Sequence, residues 1–289
     1  MSAFTRTTSG LSNSRFFYQA SFTVYIEGKT ALVPGEQEPP DAHYYAVLMK
    51  AVRPQKTVKI KIVGNKGTAF EYAKKLRDGN VKNAIVIVDK DLEGVVSSIL
   101  PLEPVIRTFG YSWENELWTV ATAANLIRDL SNATIMHAES PAVCLPIMAR
   151  RLRYLSALDA GAQVGGGGLL PKDKSLCGVN IEFPRVAGKE VTRIAGKYRR
   201  SPAAKCPVSR SIALEAIKLE PSQVVQGHFW SNAVQQYIIQ AYRRLMNDTA
   251  PSKKVLLNLA LSFMKRDTVG AVGEGILGRY GDELTRLGV

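Results

Sequence analysis

Strand-like and helix-like segments alternate over the first part of the chain, and this alternation restricts the fold more than any other feature of the sequence. Four segments are strand-like: FTVYI, VKIKIV, NAIVIVD and PVIRTF. Two helix-like segments, DAHYYAVLMKAV and GTAFEYAKKLRDG, separate the first three strands. Strands that alternate with helices are typical of βαβ units, whose strands run parallel in one sheet. The wholly apolar AIVIV at 84–88 is typical of a strand buried on both faces. The pattern therefore predicts an α/β fold with a parallel sheet.

Beyond residue 114 the chain is predicted to be mostly helical. Helices are expected at 114–130, 141–160, 187–200, 209–219, 227–247 and 252–266. The glycine-rich stretch at 161–175 is predicted to be a loop. Asp41 is the expected N-cap of the first helix, and Gly79 the expected C-cap of the second. The predicted organisation is an N-terminal arm over 1–20, an α/β domain over 21–120 and a helical, basic region over 121–289.

The charge balance points to a polyanionic partner. The chain has 38 Lys and Arg against 25 Asp and Glu, a formal net charge of +13. Such an excess favours binding to nucleic acid, although a solubilising surface is the alternative. Most acids that carry motifs lie before residue 120, whereas the basic clusters lie mainly after 150, an asymmetry that also indicates nucleic acid. The clusters comprise Arg150, Arg151, Arg153, Arg193, Lys197, Arg199, Arg200, Arg243, Arg244, Lys253 and Lys254.

Composition and motifs argue against several other classes of protein. The longest apolar runs, such as KVLLNLALSFMK, are too short to cross a bilayer, and the N-terminus does not have the pattern of a signal peptide. Cys144, Cys177 and Cys206 are odd in number and have no paired spacing, which argues against a disulfide framework or a zinc site. The sequence therefore predicts a cytoplasmic protein with no membrane segment.

Acidic residues follow the predicted strands at the points where the strands end. Glu27 comes directly after the first strand, Asp89 ends the third with Asp91 two positions on, and Glu114 follows the fourth. The carboxyl ends of parallel strands meet at one edge of the sheet, where functional groups gather. Carboxylate oxygens suit hard divalent cations, and two such ions can stabilise the attacking and leaving oxygens of a phosphodiester displacement. The sequence therefore predicts a metal-dependent site, with Glu27 as a metal ligand or as a general acid or base.

Each element of this site also has a simpler interpretation. A D-x-D pair also occurs in glycosyltransferases, in phosphatases and in surface turns, and Glu114 would suit the first turn of a helix through the helix dipole. Glu116 lies two positions further on, and of the two glutamates Glu114 is favoured as the one that faces the site. The GNKG turn at 64–67 is either a tight connection or a phosphate contact through its N–H groups and Lys66.

The segment YIEGKT at 25–30 ends like a phosphate-binding P-loop. A P-loop needs a glycine five positions before its Gly-Lys pair, and that position is occupied by Thr23 inside the predicted strand. No glycine occurs between Asn13 and Glu27. The P-loop interpretation is therefore rejected, and Lys29 remains only a candidate phosphate contact.

Four motifs in this order, YIEGKT, VGNKGTAF, IVIVDKDLEG and FGYSWENELW, resemble the Toprim domain. The resemblance is closest to the bacterial Toprim-like family related to the overcoming-lysogenization-defect (OLD) nucleases, which includes the effector nuclease of the PARIS anti-phage system. The resemblance covers about residues 20–120. Residues 224–238 give weaker support, because a Gly-His or Gly-Lys pair opens a late helix in that group. Relatives typically read E-G-x-[ST]-D, whereas ALVPGEQEPP intervenes here, so that Asp41 would take the place of that acid after an insertion.

The resemblance implies a Rossmann-like Toprim sheet and a nuclease that uses Mg²⁺ or Mn²⁺, with two ions. Glu27, Asp89 and Asp91 match the metal-binding and catalytic acids of the family, and Glu114 matches the glutamate of its S-x-E-N segment. The resemblance also implies an effector of anti-phage defence that a partner ATPase releases to cleave host tRNA. Two alternatives stay open: an OLD-like DNA endonuclease or nickase, and a non-catalytic nucleic-acid-binding module in an ATPase complex. A homodimer would suit paired cuts.

Further residues are assigned from their local sequence. Arg199 and Arg200, in the basic segment KYRRSPAAKCP, are predicted phosphate contacts that would position a substrate without reading its sequence. For His228, in QGHFW, a structural role at a helix start is favoured over donation to a substrate phosphate. The three tryptophans are expected to pack in the core rather than to stack on bases: Trp113, Trp118 and Trp230.

Overall fold

The computed structural model describes residues 19–28, 38–132, 139–165, 167–170, 181–182 and 185–289. Their contacts divide the chain into two units. The first contains the residues up to Asp89, Leu100–Thr108 and Lys265–Val289, and the second contains Lys90–Ile99 and Phe109–Met264. The boundaries of these units differ from the predicted division at residue 120, because Lys265–Val289 belongs to the same unit as the residues up to Asp89.

The first unit is built on a four-stranded parallel sheet. Its strands are β1 (Phe22–Ile26), β2 (Val58–Ile62), β3 (Ala84–Val88) and β4 (Val105–Arg107), in the order β2-β1-β3-β4. Helix α1 (Pro40–Val52) connects β1 to β2, and α2 (Lys66–Asp78) connects β2 to β3. The predicted Rossmann-like α/β fold is confirmed. Because β2 and β3 lie on opposite sides of β1, the strand order reverses between β1 and β3.

The two central strands form the core of the sheet. Every residue of β1 and β3 is buried, which confirms the prediction of burial on both faces for AIVIV. On one face, Ala69, Ala73 and Leu76 of α2 join a cluster with Tyr25 and Val86. Burying one large aliphatic side chain contributes about 1.5–3 kcal/mol. Packing of these apolar residues is therefore the main force that positions the ends of β1 and β3.

The first helix begins differently from the prediction. Its N-cap is Pro39 and its first residue is Pro40, so the prediction of Asp41 as the N-cap is wrong. Proline is favoured at the first helical position because its φ is already helical and no N–H is needed there. Asp41 consequently lies in the first turn of α1, where a negative charge is favoured by the helix dipole.

The second helix has the side-chain cap that α1 does not have. Oδ1 of Asn65 accepts a hydrogen bond from the N–H of Thr68 at 3.0 Å, and the C-cap is Gly79, as predicted. Asn65 lies in extended backbone conformation, which is usual for an N-cap residue. The cap fixes the start of α2 directly after the GNKG turn.

Replacing Asn65 with alanine is expected to lower the free energy of unfolding by about 1 kcal/mol, because the N–H of Thr68 loses its acceptor. Urea denaturation followed by circular dichroism measures the change. Asn65→Asp is the matched control, since aspartate keeps an acceptor oxygen and should stay within a few tenths of a kcal/mol of the natural chain. Equal losses in both variants would show that the cap does not stabilise α2.

The second unit is mainly helical, as predicted. Its helices are α3 (Trp113–Leu117), α4 (Val120–Ser131), α5 (Pro141–Val164), α6 (Gly188–Arg200), α7 (Pro207–Lys218), α8 (Pro221–Val224), α9 (Gly227–Met246) and α10 (Lys253–Arg266), the last of which ends beyond the unit. Its described residues also include the antiparallel strand pair β5 (Ile181–Glu182) and β6 (Arg185–Val186) and a 3₁₀ turn at Pro202–Lys205.

Two predicted boundaries in the second unit are wrong. The helix expected at 114–130 is divided into α3 and α4, because Thr119 accepts a hydrogen bond from the N–H of Thr122 at 3.1 Å and caps a new helix. The loop expected from residue 161 begins only after Val164, where α5 ends. None of the helices in the described ranges combines the length and the apolar character that a bilayer crossing requires.

The chain returns to the first unit with two helices that the sequence interpretation missed. These are α11 (Thr268–Val272) and α12 (Glu274–Arg286), and α12 packs against α1. Arg53, which follows α1, holds this segment with three hydrogen bonds. Its Nη2 donates to the carbonyl of Gly281 at 3.0 Å and to Oγ1 of Thr285 at 2.7 Å, and its Nε donates to the carbonyl of Val289 at 3.2 Å.

Candidate functional site

Two of the predicted acids follow neighbouring strands at the carboxyl edge of the sheet. Glu27 follows β1 and Asp89 follows β3. These strands are paired with Ile26 opposite Ile87, and the N–H of Glu27 continues the pairing by donating to the carbonyl of Ile87 at 3.3 Å. The structure therefore places Glu27 and Asp89 at the ends of adjacent parallel strands, at the point where the strand order reverses.

Glu27 is only partly accessible. Its side chain is half-buried, and Oε2 is out of contact with solvent. A carboxylate in such surroundings attracts a cation more strongly than one in bulk water, because the effective dielectric constant is lower. The position suits an acid that holds a cation or exchanges a proton.

Asp41 reaches the same edge from α1. A Cβ atom built on Gly28 would lie 2.3 Å from Oδ2 of Asp41, so the aspartate lies against the backbone directly after Glu27. Its other oxygen, Oδ1, accepts a hydrogen bond from the N–H of Ala42 at 2.8 Å. The sequence left open whether Asp41 joins the site, and the structure brings it next to Glu27.

Lys66 also lies at this edge. It is the first residue of α2, and its Nζ donates to the backbone carbonyl of Asp89 at 2.5 Å. The predicted phosphate contact is thus beside one of the predicted acids. Lys29 lies outside the described residues. Thr23, whose position ruled out a P-loop, is inside β1 and fully buried.

Asp91 belongs to the second unit, two positions along the chain from Asp89. Its φ of +52° is uncommon for a residue other than glycine, although aspartate tolerates it better than most. The N–H of Asp91 donates to the carbonyl of Tyr111 at 2.8 Å, which holds this conformation. Next to it, burial lowers the pKa of Lys90, and the charge of Glu93 partly offsets this effect.

Glu114 is held by protein groups at both oxygens. Oε2 accepts a hydrogen bond from Oγ of Ser112 at 2.6 Å, and Oε1 lies 2.8 Å from Nδ1 of His228. The Glu114 side chain is 7% exposed, whereas that of His228 is 78% exposed. A buried carboxylate beside one ring nitrogen fixes the orientation of an exposed imidazole. Glu114 thus orients His228, and sequence reasoning missed the contribution of Ser112.

Glu116 makes different contacts from those of Glu114. Its side chain is buried, and Oε1 accepts hydrogen bonds from the N–H groups of Phe109 at 2.7 Å and Gly110 at 3.4 Å. These bonds hold the chain that leads into α3. Glu114, which the sequence favoured over Glu116, contacts the ionisable side chain of His228.

The glycine before His228 allows this contact. A Cβ atom on Gly227 would lie 1.7 Å from Oγ of Ser112 and 2.7 Å from Oε2 of Glu114. No side chain fits there while the two hydrogen-bonded groups keep their places. Gly227 therefore lets the start of α9 approach the buried carboxylate.

Several of the basic clusters are structural. Arg151 donates to the carbonyl of Val186, and Arg153 donates to the carbonyl of Leu219 at 3.2 Å. Arg244 forms an ion pair with Glu139 at 2.7 Å. These cations stabilise the helical unit. The predicted phosphate contacts are exposed at the end of α6: Arg199 and Arg200.

The tryptophans confirm the expectation of core packing in one case. Trp118 is fully buried, and its carbonyl accepts a hydrogen bond from Nε1 of Trp230 at 2.8 Å. Trp230 and Trp113 are half-buried. The indole of Trp230 thus links α9 to the end of α3.

A search for complete metal sites within the described ranges finds no group of three or more His, Cys, Asp or Glu side chains placed to hold an ion. Comparison with known proteins yields no match, either among protein-family models or among curated proteins. The resemblance to Toprim-like nucleases therefore stays a hypothesis that rests on the four motifs.

Proposed function

We propose that this protein is a nuclease dependent on Mg²⁺ or Mn²⁺, with its reaction centre at the carboxyl edge of the sheet in the first unit. One observation carries the proposal: Glu27 and Asp89 follow the two neighbouring strands between which the strand order reverses. Open α/β sheets bind their ligands in the crevice at this point. Acidic side chains at this position favour the binding of a cation, and a bound cation favours the binding of a substrate that carries phosphate.

The side chains at this edge are of the chemical type that binds Mg²⁺ or Mn²⁺. Carboxylate oxygens are hard ligands, and Mg²⁺ is usually held by one or two carboxylates together with water and substrate phosphates rather than by a complete protein cage. Glu27 and Asp89 would supply the protein ligands, with Asp41 as a further candidate. Two bound ions would stabilise the attacking and leaving oxygens of a phosphodiester displacement. Asp91 and Glu114 stay predictions as ligands.

The chain's own cations support the same assignment. Lys66 lies beside Asp89, and its ammonium has three N–H donors, so the group that contacts the Asp89 carbonyl can also contact a phosphate. Glu27 is suited to exchange a proton with the nucleophile or to hold a cation. The net charge of +13 favours the approach of a polyanion.

For the substrate we propose RNA, and tRNA in particular. This choice depends on the resemblance to Toprim-like effectors alone, as do the role in anti-phage defence and the partner ATPase that holds and releases the nuclease. The proposed cytoplasmic location rests instead on the number and spacing of the cysteines. DNA is the alternative substrate, and a non-catalytic binding module is the alternative to an enzyme.

The direct test incubates the purified protein with tRNA and with supercoiled plasmid, in Mg²⁺, in Mn²⁺ and in EDTA. Each reaction is repeated with a candidate ATPase partner, since a nuclease held by its partner needs release. We expect cleavage of tRNA with either metal and none in EDTA. Nicking of plasmid without cleavage of tRNA would establish the DNA enzyme instead. Binding without cleavage under every condition would contradict the enzyme proposal.

A further inference from the structure

One face of α6 presents a continuous row of cations to solvent. The α6 basic stripe consists of Lys189, Arg193, Lys197 and Arg200, all of them exposed. Their spacing of four, four and three residues places them on one side of a helix that has about 3.6 residues per turn. With a rise of about 1.5 Å per residue, the stripe is about 16 Å long. It is therefore a linear array of positive charge rather than a scattered surface.

Few acids neutralise the α6 basic stripe. Residues 189–210 contain seven Lys or Arg and a single acid, Glu190, which pairs with Arg193 at 2.6 Å. Within the described ranges, Lys197 and Arg200 have no ion-pair partner. The 3₁₀ turn after α6 adds Lys205, which is also exposed. The positive charges of Lys197 and Arg200 are thus available to a ligand.

The opposite face of α6 is fixed to the protein. Ile194 is 1% exposed and Tyr198 is 9% exposed, and Tyr198 packs in a cluster with Ala162 of α5. The neighbouring α7 approaches α5 so closely that a Cβ atom on Gly161 would lie 2.6 Å from the carbonyl oxygen of Ser209. The stripe is therefore mounted on a rigid support, which lowers the entropy cost of binding.

These features favour one kind of partner. The α6 basic stripe is made of cations alone, whereas protein interfaces need an apolar or aromatic centre. A helix that binds a membrane surface inserts its apolar face, and Ile194 and Tyr198 of α6 are already buried in the protein. A row of exposed cations on a rigid support fits the phosphate backbone of a nucleic acid.

We propose that the α6 basic stripe, together with Arg199 and Lys205, binds the phosphate backbone of RNA. This inference rests on the proposed function in its choice of RNA. The contact would be independent of base sequence, because phosphates carry no sequence information. Each phosphate that the stripe neutralises would add about 0.7–0.9 to the slope of log affinity against log salt concentration.

The test measures tRNA binding by fluorescence anisotropy over a range of salt concentrations. All variants carry Glu27→Gln, so that the tRNA is not consumed. The stripe variant combines three changes: Lys197→Gln, Arg199→Gln and Arg200→Gln. We expect binding to weaken by about 10- to 100-fold near 0.1 M salt, and the salt slope to fall by about 2.

The matched control removes the same charge from the first unit. Its three positions are exposed and lie outside the predicted basic clusters: Lys56→Gln, Lys74→Gln and Lys82→Gln. It should bind tRNA within about threefold of the parent with little change in slope, because these cations are dispersed. Thermal denaturation verifies that both variants are folded.

Each outcome of these binding measurements either supports or overturns the inference about the α6 basic stripe. Equal loss of binding in the stripe variant and the control, or no binding by the parent, overturns the inference. So does binding to phosphatidylserine vesicles or to an acidic peptide that depends on the stripe while tRNA binding does not. Because binding is measured without cleavage, the two proposals fail separately. An active nuclease with an unaffected stripe variant refutes the stripe alone, and stripe-dependent binding by an inactive protein refutes the enzyme alone.

Discussion

Replacing Glu27 with glutamine is expected to reduce the rate of RNA cleavage by about two to three orders of magnitude while the chain stays folded. The change removes the charge that would hold a cation, and metal assistance contributes several kcal/mol to such a displacement, at about 1.4 kcal/mol for each factor of ten. Glutamine has nearly the same size, and the backbone bond from residue 27 to the carbonyl of Ile87 is unaffected. Asp89→Asn should behave alike, because Asp89 follows the neighbouring strand.

Single-turnover cleavage of tRNA in saturating Mg²⁺ measures this loss, and urea denaturation verifies the fold. Glu71→Gln is the control, since it makes the same change at an exposed acid of α2 in the same unit. It should cleave at the natural rate. If Glu27→Gln and Asp89→Asn both cleave as fast as Glu71→Gln, the reaction centre is not at this edge of the sheet.

The second large effect is expected on stability. Gly227→Ala should destabilise the second unit by about 3 kcal/mol, because the new Cβ would lie 1.7 Å from Oγ of Ser112. Ser112 cannot turn away at low cost. It is 4% exposed, and its hydroxyl donates to the buried Glu114 at 2.6 Å. Either α9 moves outward or a buried hydrogen bond is lost, which by itself costs about 1–3 kcal/mol.

Urea denaturation and amide hydrogen exchange in the first turn of α9 report this effect. Gly196→Ala is the control in the same unit, since its Cβ would meet only the far end of Arg200 at 3.8 Å. Alanine should stabilise α6 there by up to about 1 kcal/mol. Adding Ser112→Ala should restore part of the stability lost in Gly227→Ala, because the closest contact is removed. If Gly227→Ala proves as stable as Gly196→Ala, α9 does not approach Glu114 as described.

Local sequence patterns predicted the sheet and the acids at its edge. The apolar run at 84–88 specifies a buried strand by itself, and Asp89 is placed at the strand end simply because it is the next residue. The strand order could not be predicted in this way, since alternation of strands and helices is compatible with several orders. Tertiary packing determines that β1 lies between β2 and β3. This strand order makes Glu27 and Asp89 follow neighbouring strands.

The remaining misses also have physical causes. The partner of Glu114 is His228, and no local pattern relates residues so far apart. Asp41 has a favourable N-cap side chain, but Pro40 fixes the helix start before it. Five glycines between residues 270 and 281 lower the intrinsic helix propensity of the C-terminal segment, so no helix was predicted there. Packing of α12 on α1 and the hydrogen bonds from Arg53 compensate for this weakness.

The contact between Arg53 and the C-terminal segment has a consequence for biosynthesis. Arg53 and Gly281 are separated by 228 positions, so the second unit has left the ribosome before their hydrogen bond can form. Contacts of such long range slow folding, whereas a contiguous unit can fold as soon as it is made. In the nascent chain, the unit that contains the sheet therefore lacks α12 until residue 286 has been translated. The sheet that holds Glu27 and Asp89 gains its full packing last.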